Sequence, residues 1–65
     1  MVIKVIEVIG ASEKSWEDAA RVAVEEASKS IRGITGVDVQ NLTATVKDGK
    51  IVKYKASVKV AFAVD

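Results

Sequence analysis

The chain contains no cysteine and no histidine. Without cysteine, no disulfide stabilises it, and no thiolate is available to bind a metal or to act as a nucleophile. Without histidine, it lacks the usual general base near neutral pH and the commonest ligand of transition metals. Of the familiar nucleophile pairings only serine with lysine remains, and no pattern pairs Ser15 or Ser57 with a lysine. We therefore expect no catalytic residues and no enzyme activity.

A long uninterrupted apolar run is also missing. The apolar segment near the N-terminus is interrupted by Lys4 and Glu7, so neither a signal peptide nor a membrane span fits it. The net charge of +1 is too small to indicate nucleic-acid binding, and no nucleic-acid recognition motif is present. We expect a cytoplasmic protein with neither nucleic acid nor membrane as a partner.

The chain length limits both the number of domains and the size of the core. Its 65 residues predict one domain, residues 1–65, and a chain this short buries only about 60% of the surface that its unfolded form exposes. Small domains without disulfides are commonly stabilised by association. The size therefore favours a protein that binds copies of itself.

The first half of the chain predicts a strand followed by a helix. The segment Val2–Ile9 is rich in β-branched residues, which favours a strand. The helix begins near Ser12 or Ser15, the second of which opens an S-x-x-D capping pattern. It extends to about residue 31 or 32, and Gly33 is its expected stop. One side of this helix carries a stripe of mostly small residues: Trp16, Ala19, Ala20, Ala23, Ala27 and Ile31.

The second half predicts a turn at residues 33–36 and a bent hairpin. In the strand Val37–Lys47 the apolar alternation changes phase, which predicts a bulge near residues 40–42. Asp48 and Gly49 form a strong hairpin turn signal. The last strand, Ile51–Val64, places these residues on one face: Val52, Tyr54, Ala56, Val58, Val60, Phe62 and Val64.

The last strand is too long for a compact chain of this size. Its fourteen positions extend over roughly 45 Å, whereas a compact chain of this length has a diameter of about 28 Å. The strand must therefore curl around something or pack against a neighbouring subunit. A helix of about eighteen residues, roughly 27 Å long, does not cover its whole apolar face, and we expect the uncovered end to be Val58–Val64. The candidate interface residues are Trp16, Val58, Val60, Phe62 and Val64.

These elements predict an α+β fold with the order β-α-β-β. The first strand crosses over through the helix, and the hairpin makes the second and third strands antiparallel. The longest strand fits best in the middle of the sheet. The expected architecture is a three-stranded antiparallel sheet with strand order 1-3-2, wrapped around one helix.

The chain resembles the dodecins over essentially its entire length, and several segments carry the resemblance. They are the linker from Gly10 to Trp16, the helix of small residues, and the bent hairpin that ends in residues 58–62. Dodecins are β-α-β-β subunits that form hollow spherical dodecamers, and many bind flavins in pairs at subunit contacts, in a storage role. The resemblance implies a homododecamer with FMN, FAD or riboflavin as possible ligands.

The positions that contact flavin in the family differ in this chain. Flavin-binding dodecins carry a Trp after the helix, with an acid two residues later, where this chain has Gly36 and Asp38. Their last strand supplies a Gln after an aromatic residue, where Lys55 follows Tyr54. An aromatic stacking contact contributes about 1 to 3 kcal/mol, judged from nucleobases. We expect ligand binding near Gly36, Asp38 and Lys55, with flavin affinity weak or lost.

Alternatives to this interpretation remain. The lysines at 53, 55 and 59 share the polar face of the last strand, either as a solvated face or as a basic surface that attracts anions. Asp38, with nearby oxygen ligands, suits calcium or magnesium, although no EF-hand pattern occurs, and no metal site is predicted. The second functional hypothesis is therefore a structural hollow oligomer without flavin that binds ions or an anionic metabolite.

Overall fold

The architecture is a three-stranded antiparallel sheet packed on one helix. The structure is a computed structural model, and it describes residues 1–64. The sheet order is β1-β3-β2, with β3 antiparallel to both neighbours. The predicted β-α-β-β fold with strand order 1-3-2 is confirmed. The elements are β1 (Val2–Ser12), α1 (Trp16–Ser28), β2 (Ile34–Lys47) and β3 (Lys50–Val64).

The helix begins as its capping pattern predicts and ends earlier than expected. Ser15 is the N-cap, and its hydroxyl accepts a hydrogen bond of 3.0 Å from the backbone N–H of Asp18. At the other end, the N–H of Ser30 donates to the carbonyl of Ala27 at 3.2 Å, a three-residue bond that tightens the last turn. The helix therefore stops at Ser28 rather than at residue 31 or 32. Gly33 follows with φ of +74°, the left-handed conformation that glycine favours.

The early end of the helix changes the position of Gly36. Strand β2 already begins at Ile34, so the predicted turn over residues 33–36 is wrong at residues 34–36. Gly36 lies inside β2, opposite Ala61 of β3. The bulge expected near residues 40–42 is confirmed by a register shift between Val39 and Asn41.

The core is built from small residues that allow close packing of the helix on the sheet. Gly10 of β1 lies against the helix backbone, where an added Cβ would overlap the carbonyl oxygen of Ala19 and approach the nitrogen of Ala23 to 2.7 Å. Only glycine permits this approach. The buried apolar residues are Ala19, Ala23 and Ala27 of the helix and Ala56, Val58 and Val60 of β3.

The helix covers the middle of β3 rather than its hairpin end. Val58 and Val60 are completely buried within the chain's own core, whereas Val52 remains 43% exposed. The expectation that Val58–Val64 is the uncovered end is wrong at Val58 and Val60, which belong to one buried cluster with Ala19, Ala23 and Ala27 of α1. Val58 and Val60 consequently have no exposed surface with which to contact a neighbouring subunit.

The long hairpin makes the subunit elongated. Its principal extents are 49 × 19 × 13 Å, and its radius of gyration is 13.2 Å. The last strand thus extends well beyond the dimensions of a compact chain of this length. Among residues 1–64, no helix is long and apolar enough to cross a membrane.

Candidate ligand-binding face

The sheet has two chemically different faces. Residues paired across antiparallel strands project to the same side of the sheet. Ala56, Val58 and Val60 pack against the helix and define the helix-covered face. The alternate residues of β3 define the opposite side, which we call the open face. The open face of β3 carries Lys53, Lys55, Ser57, Lys59, Ala61 and Ala63.

All three predicted ligand-binding residues lie on the open face, but at different levels of the sheet. Gly36 is opposite Ala61, Asp38 is paired with Lys59, and Lys55 lies between Thr43 of β2 and Ala11 of β1. Six positions along β3 separate Lys55 from the level of Gly36, which corresponds to about 20 Å. A single subunit therefore does not bring these three residues around one small ligand.

Asp38 lies in a polar part of the open face. It is exposed, and one of its carboxylate oxygens accepts a hydrogen bond of 2.6 Å from the side-chain amide of Gln40. The strand register places Lys59 between Asp38 and Glu7. Within residues 1–64, no group of three or more His, Cys, Asp or Glu side chains is arranged to hold a metal ion.

The aromatic side chains all lie on the helix side of the sheet. The indole Nε1 of Trp16 donates a hydrogen bond of 2.7 Å to the carbonyl of Thr43. The Trp16 ring meets Tyr54 edge to face, with centroids 4.8 Å apart. Phe62 alternates with Val60 and is paired with Ile34. Among the described residues, the open face consequently carries no aromatic ring on which a planar ligand could stack.

A polar junction connects the end of β1 to the first turn of the helix. The buried hydroxyl of Ser12 donates to Asp18 at 2.6 Å, and the guanidinium of Arg21 bonds the same carboxylate at 2.6 Å. The Ser12 hydrogen bond, followed by that of Arg21, lowers the pKa of Asp18 below its ordinary value of 3.8. The sequence offered Ser12 and Ser15 as alternative caps, but it did not reveal the hydrogen bond from Ser12 to Asp18.

An apolar groove of about 630 Å³ runs between β1 and the helix. Among the described residues that line it, Glu26 alone is charged, and the predicted ligand-binding residues lie elsewhere. The groove lies along the exposed edge of β1 and is separate from the open face. It is lined by Val8, Ile9, Gly10, Ala11, Val22, Ala23, Glu26 and Ala27.

Comparison with known proteins agrees with this fold. The sequence model of the dodecin family matches residues 2–65. A dodecin from Thermus thermophilus is 27% identical over 64 residues, covering 98% of this chain and 93% of the relative. The dodecin structure from Streptomyces coelicolor superposes with a TM-score of 0.94 at 26% identity, covering 98% of this chain and 91% of that chain.

A second solved structure is more similar in sequence. It is a calcium dodecin from Mycobacterium tuberculosis, described as calcium chelating with a novel calcium-binding site. It is 38% identical, covers 100% of this chain and 93% of its own, and has a TM-score of 0.85. The family match over nearly the whole sequence and the shared strand order lead to one conclusion. This chain belongs to the dodecin family.

Proposed function

We propose that this chain forms a cytoplasmic homododecamer, a hollow shell that binds and stores a small molecule and has no enzymatic activity. Each subunit is one domain over residues 1–65. The ligand is held at contacts between subunits near Gly36, Asp38 and Lys55. Flavins are bound weakly or not at all.

The absence of an aromatic ring on the described open face is the observation that carries this proposal. Gly36 stands where flavin-binding dodecins carry a Trp, and the three aromatic residues of the chain lie on the helix side of the sheet. Loss of one stacking contact of about 1 to 3 kcal/mol lowers affinity by roughly 5- to 150-fold. Lys55 adds a second difference, because an ammonium group donates hydrogen bonds but accepts none, unlike the amide of Gln.

Binding across a subunit contact follows from the separation of the three residues. They are spread over about 20 Å of one open face, so a ligand that meets all three types of group must contact more than one copy. Exposed apolar surface supports such assembly. On β1, Ile3, Val5 and Ile9 are all more than half exposed.

The interface candidates differ in the surface they offer. Trp16, Phe62 and Val64 are half-buried in the subunit and retain surface for a neighbour. Further exposed apolar side chains lie on β2: Val37, Val39 and Leu42. We infer that these residues, rather than Val58 and Val60, contribute the contacts between subunits.

Native mass spectrometry of the purified protein tests the assembly and its cargo together. We expect a twelve-subunit mass without stoichiometric flavin, and weak quenching of riboflavin or FMN fluorescence in a parallel titration. A monomer at micromolar concentration would contradict the shell. A dodecamer that retains flavin would contradict the inferred effect of Gly36 and Lys55.

A second candidate is an oligomer that binds ions or an anionic metabolite instead of flavin. The 38% identity to the calcium dodecin favours calcium among the ions. Because the described part of one subunit offers no cluster of acidic ligands, such a site must combine carboxylates of several copies. Calcium titration of the wild type and of Asp38→Asn, followed by calorimetry, tests this candidate. Equal calcium binding by both proteins would show that Asp38 is not a calcium ligand.

A further inference from the structure

The lysines of the open face divide into two groups with different surroundings. Lys59 is flanked by acids on both sides, because the register pairs it with Glu7 on β1 and Asp38 on β2. Lys53 and Lys55 have no such neighbours. The residues opposite them on β2 are Thr45 and Thr43.

On β1, as on β2, no acidic residue lies opposite Lys53 or Lys55. On β1, Ala11 is opposite Lys55, and the strand ends at Ser12, so no β1 residue is opposite Lys53. The three ion pairs formed among residues 1–64 all lie on or beside the helix and leave the strand lysines unpaired. Two neighbouring positive charges thus remain without a carboxylate partner in this part of the chain.

The groups around these two lysines suit an extended anion. Lys53 and Lys55 are two residues apart on one strand face, so their Cα atoms are separated by about 6.7 Å. The hydroxyl groups of Thr43 and Thr45 lie on the same face at the same two levels and can donate hydrogen bonds. Lysine binds phosphate as a mobile point charge. Such spacing fits negative charge distributed over several phosphate groups better than one compact ion.

We propose that Lys53, Lys55, Thr43 and Thr45 form a binding site for small molecules that carry two or more linked phosphates. The site belongs to one subunit and needs no aromatic platform. An anion seated there relieves the repulsion between the two ammonium groups. The ligand class therefore differs from the flavin ring system, although Lys55 also belongs to the ligand-binding residues proposed at the subunit contact.

Inorganic tripolyphosphate is a suitable probe, with orthophosphate as the single-phosphate comparison. Isothermal titration at low salt measures its binding to the wild type and to Lys53→Gln, Lys55→Gln and Lys59→Gln. Each variant removes one positive charge from the same face of β3, from a chain of net charge +1. The Lys59 variant is therefore the matched control for overall charge.

We expect Lys53→Gln and Lys55→Gln to weaken tripolyphosphate binding by about 10-fold, and Lys59→Gln by less than about 2-fold. Orthophosphate binds the wild type more weakly than tripolyphosphate, and added salt weakens both. Equal weakening by all three variants would overturn the proposal in favour of diffuse charge attraction. So would the absence of wild-type binding at about 1 mM tripolyphosphate.

Two further measurements keep these outcomes distinct. Native mass spectrometry verifies that each variant keeps the wild-type subunit number. If Lys55→Gln alters assembly, the exposed position of Lys53 still allows its comparison with Lys59. Riboflavin, which has no phosphate, tests the subunit-contact site separately, so the result for riboflavin neither supports nor weakens the tripolyphosphate site.

Discussion

The two faces of the sheet are built by alternate residues of the same strands, yet they follow different constraints. On β3, Val58 is completely buried against the helix, whereas its neighbours Ser57 and Lys59 lie on the open face. The helix-covered face is closely packed and contains small apolar residues. The open face carries lysines, hydroxyl groups and exposed apolar side chains. The first face therefore governs folding, and the second is available to vary with the ligand.

Two glycines show the same contrast on a smaller scale. Gly10 lies under the helix, where an added Cβ would overlap backbone atoms of Ala19 and Ala23. Gly36 lies on the open face, where an added Cβ would meet only the Cβ of Ala61, at an ordinary contact distance of 3.8 Å. A substitution at Gly10 tests the packing of the fold, and a substitution at Gly36 tests the ligand site.

The largest effect is expected for Gly10→Ala. The new methyl group would collide with the carbonyl of Ala19 and with the backbone nitrogen of Ala23, so the helix must move away from β1. We expect a loss of about 3 kcal/mol or more in the free energy of unfolding, measured by urea denaturation. Gly36→Ala is the matched control and should change it by less than about 0.5 kcal/mol. Similar values for both variants would contradict the close approach at Gly10.

A smaller effect is expected within β3 itself. Val58→Ala removes apolar volume from the core, and we expect it to lower the free energy of unfolding by about 2 kcal/mol. Ser57→Ala changes the adjacent residue on the open face and should alter it by less than about 0.5 kcal/mol. Denaturation curves of the two variants measure the difference between the faces directly. A larger cost at Ser57 than at Val58 would reverse the assignment of faces.

The smallest effect concerns the junction between β1 and the helix, and it depends on pH. The folded-state pKa of Asp18 is lowered by its bonds to Ser12 and Arg21, so its stabilising contribution is present above 3.8 and is lost as the pH falls through the lower folded value. We expect the wild type to be more stable than Asp18→Asn at neutral pH, with the gap closing in acid. Thermal unfolding across this pH range measures the gap.

The control for this prediction is Ser12→Ala, which removes the hydroxyl that contributes most to the pKa shift. It should make the acid-induced loss of stability smaller than in the wild type. If the stability of the wild type and of both variants changed with pH in the same way, the bonds to Asp18 would not contribute to the pH dependence of stability.

The fold was largely predictable because local patterns and topology agree. The sequence offered Ser12 and Ser15 as caps, of which Ser15 is the cap, and the phase change in β2 predicted a bulge near residues 40–42, where the register shifts between Val39 and Asn41. The helix end was not predictable to the residue, since the tightened bond from Ser30 to Ala27 leaves no distinct signal in the sequence. That difference of about one helical turn also moved Gly36 from a turn into β2.

The arrangement of the candidate site was predictable only in part. Period-two alternation placed Lys53, Lys55 and Lys59 on one face, and the structure confirms this. Alternation does not tell which residues oppose them, because that depends on the register between strands. The contrast between Lys59, which lies opposite two acids, and Lys55, which lies opposite Thr43 and Ala11, therefore emerged only from the strand register.

The most direct test of the central claim is to place the missing groups on the open face and titrate riboflavin. The double variant Gly36→Trp with Lys55→Gln introduces an aromatic ring and an amide, and a Cβ at position 36 would meet the Cβ of Ala61 at an ordinary contact distance of 3.8 Å. We predict that fluorescence quenching shows riboflavin binding roughly 5- to 150-fold tighter than in the wild type, with the subunit number unchanged. Wild-type affinity equal to or higher than that of the double variant would contradict the account.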